Sequence, residues 1–228
     1  MAVLILGIDS CSVTAAAALA DGGRVLAESF ENSGLTHSET LLPLILSTVE
    51  KAGKTLADID EIAITSGPGS FTGLRIGIAT AKGLAFARSL PCVGVSSLEA
   101  AACNFLDMDC TVCVCMDARR QQFYNAVFKT ENGVLHRLMP DRAISAEALE
   151  KELQDAGQHV ILAGDGAKLA LSLLQAAPVT LCAPEKMYPL GSGVLHAAQG
   201  KKRVAPEALV PVYLRPSQAE RELKLKRS

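Results

Sequence analysis

At 228 residues the chain is long enough to bury a substantial core, as one large domain or two smaller lobes, without disulfide or metal staples. A net charge of −2 leaves no overall basic footprint, which argues against independent nucleic-acid binding and leaves any RNA to be held largely by a partner. Hydrophobic residues make up 49% of the chain while aromatics are only 4% and tryptophan is absent, so the core must be aliphatic, small and closely packed at the backbone.

The apolar start Met1-Ala-Val-Leu-Ile-Leu-Gly7 lacks a basic leader and reaches Asp9 too soon for a signal peptide, and no run approaches membrane-spanning length. Seven cysteines without a secretory leader indicate a reduced, cytoplasmic setting. Residues 3–9, 13–20 and 24–30 read as three strands, with Asp21-Gly22-Gly23 as the turn between the second and third. Thr36 and Glu39 form a T-x-x-E capping pattern ahead of a helix running to about Lys51, in which Pro43 either kinks the helix or marks its first turn. Leu41, Leu42, Leu44, Ile45, Leu46 and Val49 spread over about half of that helix, wider than the usual ~100° stripe, so one side can face its own sheet and another a partner.

A strand over 61–66 leads into Gly67-Pro-Gly-Ser-Phe-Thr-Gly73 and a second helix to Ala87. Gly73, Gly77 and Ala81 recur at four-residue spacing and leave a ridge without bulk on that helix, so something must approach it closely. Arg75 and Lys82 share a face and are candidates to hold an acidic partner or phosphate. Strand 92–95 and a short helix over 97–105 complete the order β-β-β-α-β-α-β-α. After the polar break 107–109, strands over 111–116, 123–129 and 134–138 restart the meander. A helix from Ser145, strand 160–163, helix 167–175, strand 179–182 and helix 190–199 follow. Cys113 and Cys115 alternate with valines on one strand and read as buried small hydrophobes rather than metal ligands.

The runs Gly7-Ile-Asp9-Ser-Cys-Ser-Val-Thr-Ala, Thr36-His-Ser-Glu-Thr-Leu-Leu-Pro-Leu-Ile45, Gly67-Pro-Gly-Ser-Phe-Thr-Gly-Leu-Arg75 and Pro211-Val-Tyr-Leu-Arg-Pro216 together closely resemble the TsaB (YeaZ) family, whose bacterial members help make N6-threonylcarbamoyladenosine on tRNA. The resemblance implies an α/β fold of two ribonuclease H-like lobes, the architecture shared by actin, sugar kinases and Hsp70 (ASKHA). The expected division is a first lobe over 1–105 carrying the partner-binding helices and a more divergent second lobe over 106–216. Helix 190–199 is able to pack back on the first lobe, and 217–228 forms a polar basic tail.

Asp9 with Ser10, Ser12 and Thr14 resembles the first phosphate loop of actin-like ATPases, but the usual glycine is missing and Val13 intrudes. The expectation is a strand end whose hydroxyls satisfy local backbone, with no nucleotide held by this chain alone. In TsaD, the related catalytic subunit, a histidine pair four residues apart holds a metal in a segment similar to Val93–Ala101. Here those positions are Ser97 and Ala101, and His37, His136, His159 and His196 make no ligand spacing, so no metal site is expected. Ser70 lacks a nucleophile elbow and reads as a helix N-cap, and Cys11 lacks a local activating base.

What the resemblance implies is a non-catalytic scaffold that dimerises with TsaD and supports transfer to adenosine 37 of ANN-decoding tRNAs, with no cofactor of its own. A TsaC-type enzyme would supply threonylcarbamoyl adenylate, the ATPase TsaE would reset the complex, and ATP and a metal would sit on partner subunits. A homodimer is possible when TsaD is absent. The expected interface residues are Leu41, Leu42 and Ile45 on the first helix and Gly73, Arg75, Gly77, Ala81 and Lys82 on the second. The ridge could face the chain's own sheet or a TsaD helix, and the resemblance favours the latter. The alternative is an independent glycoprotease-like hydrolase or a small-molecule kinase, each needing a nucleophile pair, a metal or a phosphate loop that the sequence does not display.

Overall fold

The computed structural model describes residues 3–215. The expected basic tail at 217–228 lies outside the described residues. The first unit contains β1 (Leu4–Asp9), β2 (Ala15–Asp21), β3 (Arg24–Glu31), α1 (His37–Lys51), β4 (Glu61–Gly67), α2 (Phe71–Phe86), β5 (Cys92–Ser96) and α3 (Ser97–Ala102). The second contains β6 (Cys110–Asp117), β7 (Gln122–Glu131), β8 (Val134–Arg137), β9 (Arg142–Ser145), α4 (Ala146–Ala156), β10 (Val160–Ala163), α5 (Ala167–Leu173), β11 (Val179–Leu181) and α6 (Gly191–Ala198).

The first sheet has the order β3-β2-β1-β4-β5, antiparallel across the meander and parallel from β1 through β4 to β5. The second repeats it as β8-β7-β6-β10-β11, again antiparallel on one side of the central strand and parallel on the other. Two ribonuclease H-like units thus share one topology although their sequences diverge. The sequence gives no sign of β9. This four-residue strand pairs with the first part of β7, whose later part pairs with β8, so two short strands lie end to end against one long one.

β1 and β2 are buried on both faces and read as continuous apolar runs, including Ala15-Ala-Ala-Ala18. Alanine leaves room for helices to approach the sheet closely on either side. α1 and α2 cover one face through Leu41, Ile45, Val49, Ile78, Ala81 and Ala85. Each large aliphatic so buried is worth roughly 1.5–3 kcal/mol.

The other face is covered by α6, which returns from the second unit and packs with Ala63, Val93 and Val95 of the first sheet. Reciprocally, α3 of the first unit places Leu98, Ala101 and Ala102 against Val112, Val114 and Phe128 of the second sheet. The two helices touch where a Cβ on Gly193 would fall on the Ala100 carbonyl, so glycine is required for the contact. Each lobe is therefore roofed partly by the other's last helix.

Local signals hold with two exceptions. Ser70, Ser96 and Ser145 cap α2, α3 and α4, each hydroxyl accepting the N–H three residues on. Thr36 precedes α1 but forms no capping box, because its hydroxyl donates to the Glu39 carboxylate at 2.7 Å instead of accepting a backbone N–H. Pro43 lies in the second turn, on the exposed side, since α1 already begins at His37. No helix of the described residues is long and apolar enough to cross a membrane.

Candidate functional site

The small-residue ridge of α2 meets the end of β1. A Cβ added at Gly73 would strike the Ser10 carbonyl, and one at Gly77 the Ser10 hydroxyl, while that hydroxyl donates to the Gly73 carbonyl at 3.0 Å. Ala81 is fully buried in the same core. The expectation of Gly73, Gly77 and Ala81 as partner contacts is corrected: the close neighbour is the chain's own first strand and the turn after it. Leu41 and Ile45 are corrected likewise, because both are fully buried against the first sheet. The four-residue spacing identifies a tight face without identifying which neighbour fills it.

The outer face of the same helix pair is different. Leu42 and Leu46, one turn apart on α1, are each 44% exposed, and Phe86 at the end of α2 is 52% exposed. Between Arg75 and Phe86, Ala79 and Gly83 are also exposed, and a Cβ on Gly83 would meet nothing within 4 Å. α1 and α2 contact one another over the sheet, so these residues lie on one outward layer. It is apolar and, on α2, low in relief, a surface that a second pair of helices can approach closely.

Arg75 and Lys82 both contact the C-terminal segment of their own chain. The Arg75 guanidinium lies 3.9 Å from the Phe71 ring centroid and donates through Nε to the Tyr213 hydroxyl at 3.1 Å, while Phe71 and Tyr213 stack at 4.6 Å. Lys82 Nζ donates to the Glu207 carbonyl at 3.2 Å, and Val212 N–H donates to the Ser66 carbonyl at 2.7 Å. Sequence reasoning noted Pro211–Pro216 as a family run but missed that Tyr213 within it packs on α2; the unusual Tyr in an aromatic-poor chain was the available signal.

A cleft of about 540 Å³ separates the two units, lined by Ser12, Val13 and Ser70 from the first and by Asp117, Tyr124 and Asp165 from the second, among others. Asp9, which does not itself line the cleft, is completely buried. Its Oδ1 accepts from the Thr65 hydroxyl at 2.7 Å and from Cys11 N–H at 3.3 Å, while Oδ2 has no partner. Burial raises its pKa, opposed by those hydrogen bonds. Asp165 is pushed up to about 6 by burial, relieved by the Asp117 N–H and aggravated by Asp117 and Asp9. Burial also drives the Cys11 thiol up, reinforced by Asp9, which leaves no ready thiolate.

Three backbone donors around the β1–β2 turn and the start of α2 are spent inside this structure. Ser70 N–H donates to the Cys11 carbonyl at 2.7 Å, Gly73 N–H to Ser70 Oγ at 3.2 Å, and Thr14 N–H to Ser12 Oγ at 3.3 Å. Ser10 is turned to α2, and Val13, 61% exposed, points its apolar side chain outward where a phosphate loop has polar groups. His37 contacts the Ser12 carbonyl at 2.8 Å and so fixes this turn to α1. Among the described residues no group of three or more His, Cys, Asp or Glu side chains could hold a metal ion. Ser97, fully buried at the start of α3, has no hydrogen-bond partner for its hydroxyl.

Two units of one topology around a central cleft, cross-roofed by their last helices, make this a two-lobed protein of the actin-like (ASKHA) class. The family model for TsaD, tRNA N6-adenosine threonylcarbamoyltransferase, matches residues 25–202. The tRNA threonylcarbamoyladenosine biosynthesis proteins TsaB of Escherichia coli and Bacillus subtilis are 33% and 30% identical to the chain, over 96% and 95% of it and 97% and 96% of their own lengths. YeaZ from Pseudomonas aeruginosa superposes with a TM-score of 0.78 at 26% identity, over 93% of this chain and 100% of that one. The chain belongs to the TsaB (YeaZ) family and to the pathway of tRNA threonylcarbamoyladenosine biosynthesis.

Proposed function

We propose that this chain is the non-catalytic supporting subunit of the threonylcarbamoyl transfer machinery, pairing with a TsaD-type catalytic subunit across the outer face of α1 and α2. One observation carries the reading: the same two helices that pack Leu41, Ile45 and Gly77 inward present Leu42, Leu46, Ala79, Gly83 and Phe86 outward, exposed among the described residues. Because the TsaD family model matches residues 25–202, both helices included, a TsaD-type subunit offers an equivalent helix pair, and two such layers pack into a four-helix contact. A second copy of this chain would use the same surface when the partner is absent.

The cleft supports the non-catalytic half of the reading. Its buried thiol is held protonated, the Ser70 and Thr14 N–H groups beside it are internally satisfied, and the histidine next to its turn, His37, contacts the Ser12 carbonyl rather than a hydroxyl. ATP and metal chemistry would then belong to the partner, with a TsaC-type enzyme supplying the adenylate and a TsaE-type ATPase resetting the complex. Reconstitution tests this. Nucleoside analysis of tRNA treated with the TsaC-, TsaD- and TsaE-type components should show threonylcarbamoyladenosine only when this chain is added. Undiminished modification without it, or peptidase or kinase activity of the chain alone, would overturn the reading.

A further inference from the structure

The outward layer of α1 and α2 is ordered along its length as well as apolar. α1 leads into β4, and α2 leads out of it into the parallel β5, so the two helices run side by side in one direction. Their first turns are level, since a Cβ on Gly73 would fall 3.2 Å from the His37 ring. With an equal rise of about 1.5 Å per residue, Leu42 stands level with Ala79, Leu46 with Gly83 and Glu39 with Arg75, each to within about one residue. All six are exposed, and they sort by helix. α1 carries the two leucines and the carboxylate; α2 carries the two small residues and the guanidinium.

Two such layers can close face to face about a two-fold axis in two ways. With the axis across the helices, α1 meets α1 and α2 meets α2. Leucines then fall on leucines, the carboxylates of Glu39 and Glu50 share one side, and the small residues face a gap. With the axis along the helices, each α1 lies over the other copy's α2. Rotation about that axis preserves height, so level residues become opposite residues. Leu42 and Leu46 then enter the low ground at Ala79 and Gly83, where a Cβ on Gly83 meets none of the described residues within 4 Å, and Glu39 faces Arg75. Arg75 spends only its Nε on Tyr213 among the described residues, which leaves the outer end of the guanidinium for that carboxylate. The second arrangement is complementary in both shape and charge.

We infer that a second copy of this chain docks in the second way, α1 over α2 and α2 over α1, with the two-fold axis parallel to the helices. That this face is an interface rests on the reading above; the orientation rests on the residues of the layer alone.

Thiol cross-linking and sedimentation of the full chain test the orientation. A short thiol-reactive cross-linker should join Leu46→Cys chains to Gly83→Cys chains in an equimolar mixture. Neither variant should link to itself beyond the level of the unmodified chain, whose own seven cysteines set the background. Glu39→Arg alone and Arg75→Glu alone should each weaken self-association by roughly tenfold or more, since each places two like-charged pairs across the contact. Their equimolar mixture should restore it, because both pairs are then opposite in charge. Absence of the mixed cross-linked product, Leu46→Cys linking to itself as readily as to Gly83→Cys, or a charge mixture no tighter than either variant alone would overturn the orientation. A chain that sediments as a monomer at its highest soluble concentration would overturn the self-docking. None of these readouts contains a TsaD-type subunit, so failure here is separate from failure of the reconstitution.

Discussion

The two lobes share a strand order but differ in the helices laid on them. α1 and α2 of the first lobe span 15 and 16 residues, whereas their topological equivalents in the second, α4 and α5, span 11 and 7. α4 turns an outward face rich in glutamate and lysine to solvent, with Glu152 paired to Arg142. The outward face of α1 instead carries Leu42 and Leu46. A charged exterior on a short helix needs no partner, while two long helices with apolar exteriors are an incomplete layer. α5 also exposes Leu169 and Leu171, so the contrast lies between α4 and the longer α1–α2 pair, and the proposed partner face belongs to the first lobe.

Substitutions on opposite sides of α1 and α2 should separate folding from pairing. The largest effect on the free chain is expected from Leu41→Glu, which buries an unpaired charge in the first core at a cost of about 3–5 kcal/mol. Denaturant unfolding should show the isolated variant largely destabilised; a fully stable variant would mean that the inward assignment of Leu41 is wrong. Gly77→Leu comes next, at roughly 1–3 kcal/mol of overpacking against Ser10 and Ile64. Its affinity for a TsaD-type subunit per folded molecule should be unchanged.

A smaller, pH-dependent effect is expected in the cleft. Asp165 has a folded pKa raised to about 6 against ~3.9 for an unfolded aspartate, so its favourable contribution is complete below the unfolded value and is lost as pH rises through about 6. Asp165→Asn should therefore melt higher than the unmodified chain at pH 7–8, where the carboxylate is charged, with the gap closing toward pH 4. A gap that widens on acidification would contradict the burial argument. The smallest shift belongs to Gly83→Leu, whose Cβ meets none of the described residues within 4 Å and which should gain somewhat under ~1 kcal/mol of helix propensity, visible as a slightly raised melting temperature.

Much of the fold was legible because its signals are local. The strand meanders, the Gly22-Gly23 turn, the serine caps and the glycine-rich entry to α2 are properties of adjacent residues. β9 was not, since four residues without strong alternation acquire strand pairing only from the vacant length of β7. The faces of α1 and α2 were half legible. Periodicity marked Gly73, Gly77 and Ala81 as a tight ridge, but only tertiary packing shows that Ser10 occupies it. The same limit hid the roles of Arg75 and Lys82, whose partners, Tyr213 and Glu207, lie more than a hundred residues away in the chain.

The central claim is that the outward face of α1 and α2, and not their inward ridge, is where a TsaD-type subunit docks. The most direct test is the Leu42→Glu, Leu46→Glu double variant, whose thermal unfolding as a free chain is compared with its calorimetric titration against that subunit. Both side chains are substantially exposed, so the free chain should unfold within about 0.5–1 kcal/mol of the unmodified one while affinity falls by roughly a hundredfold or more. Unchanged affinity in a stably folded double variant would contradict the account.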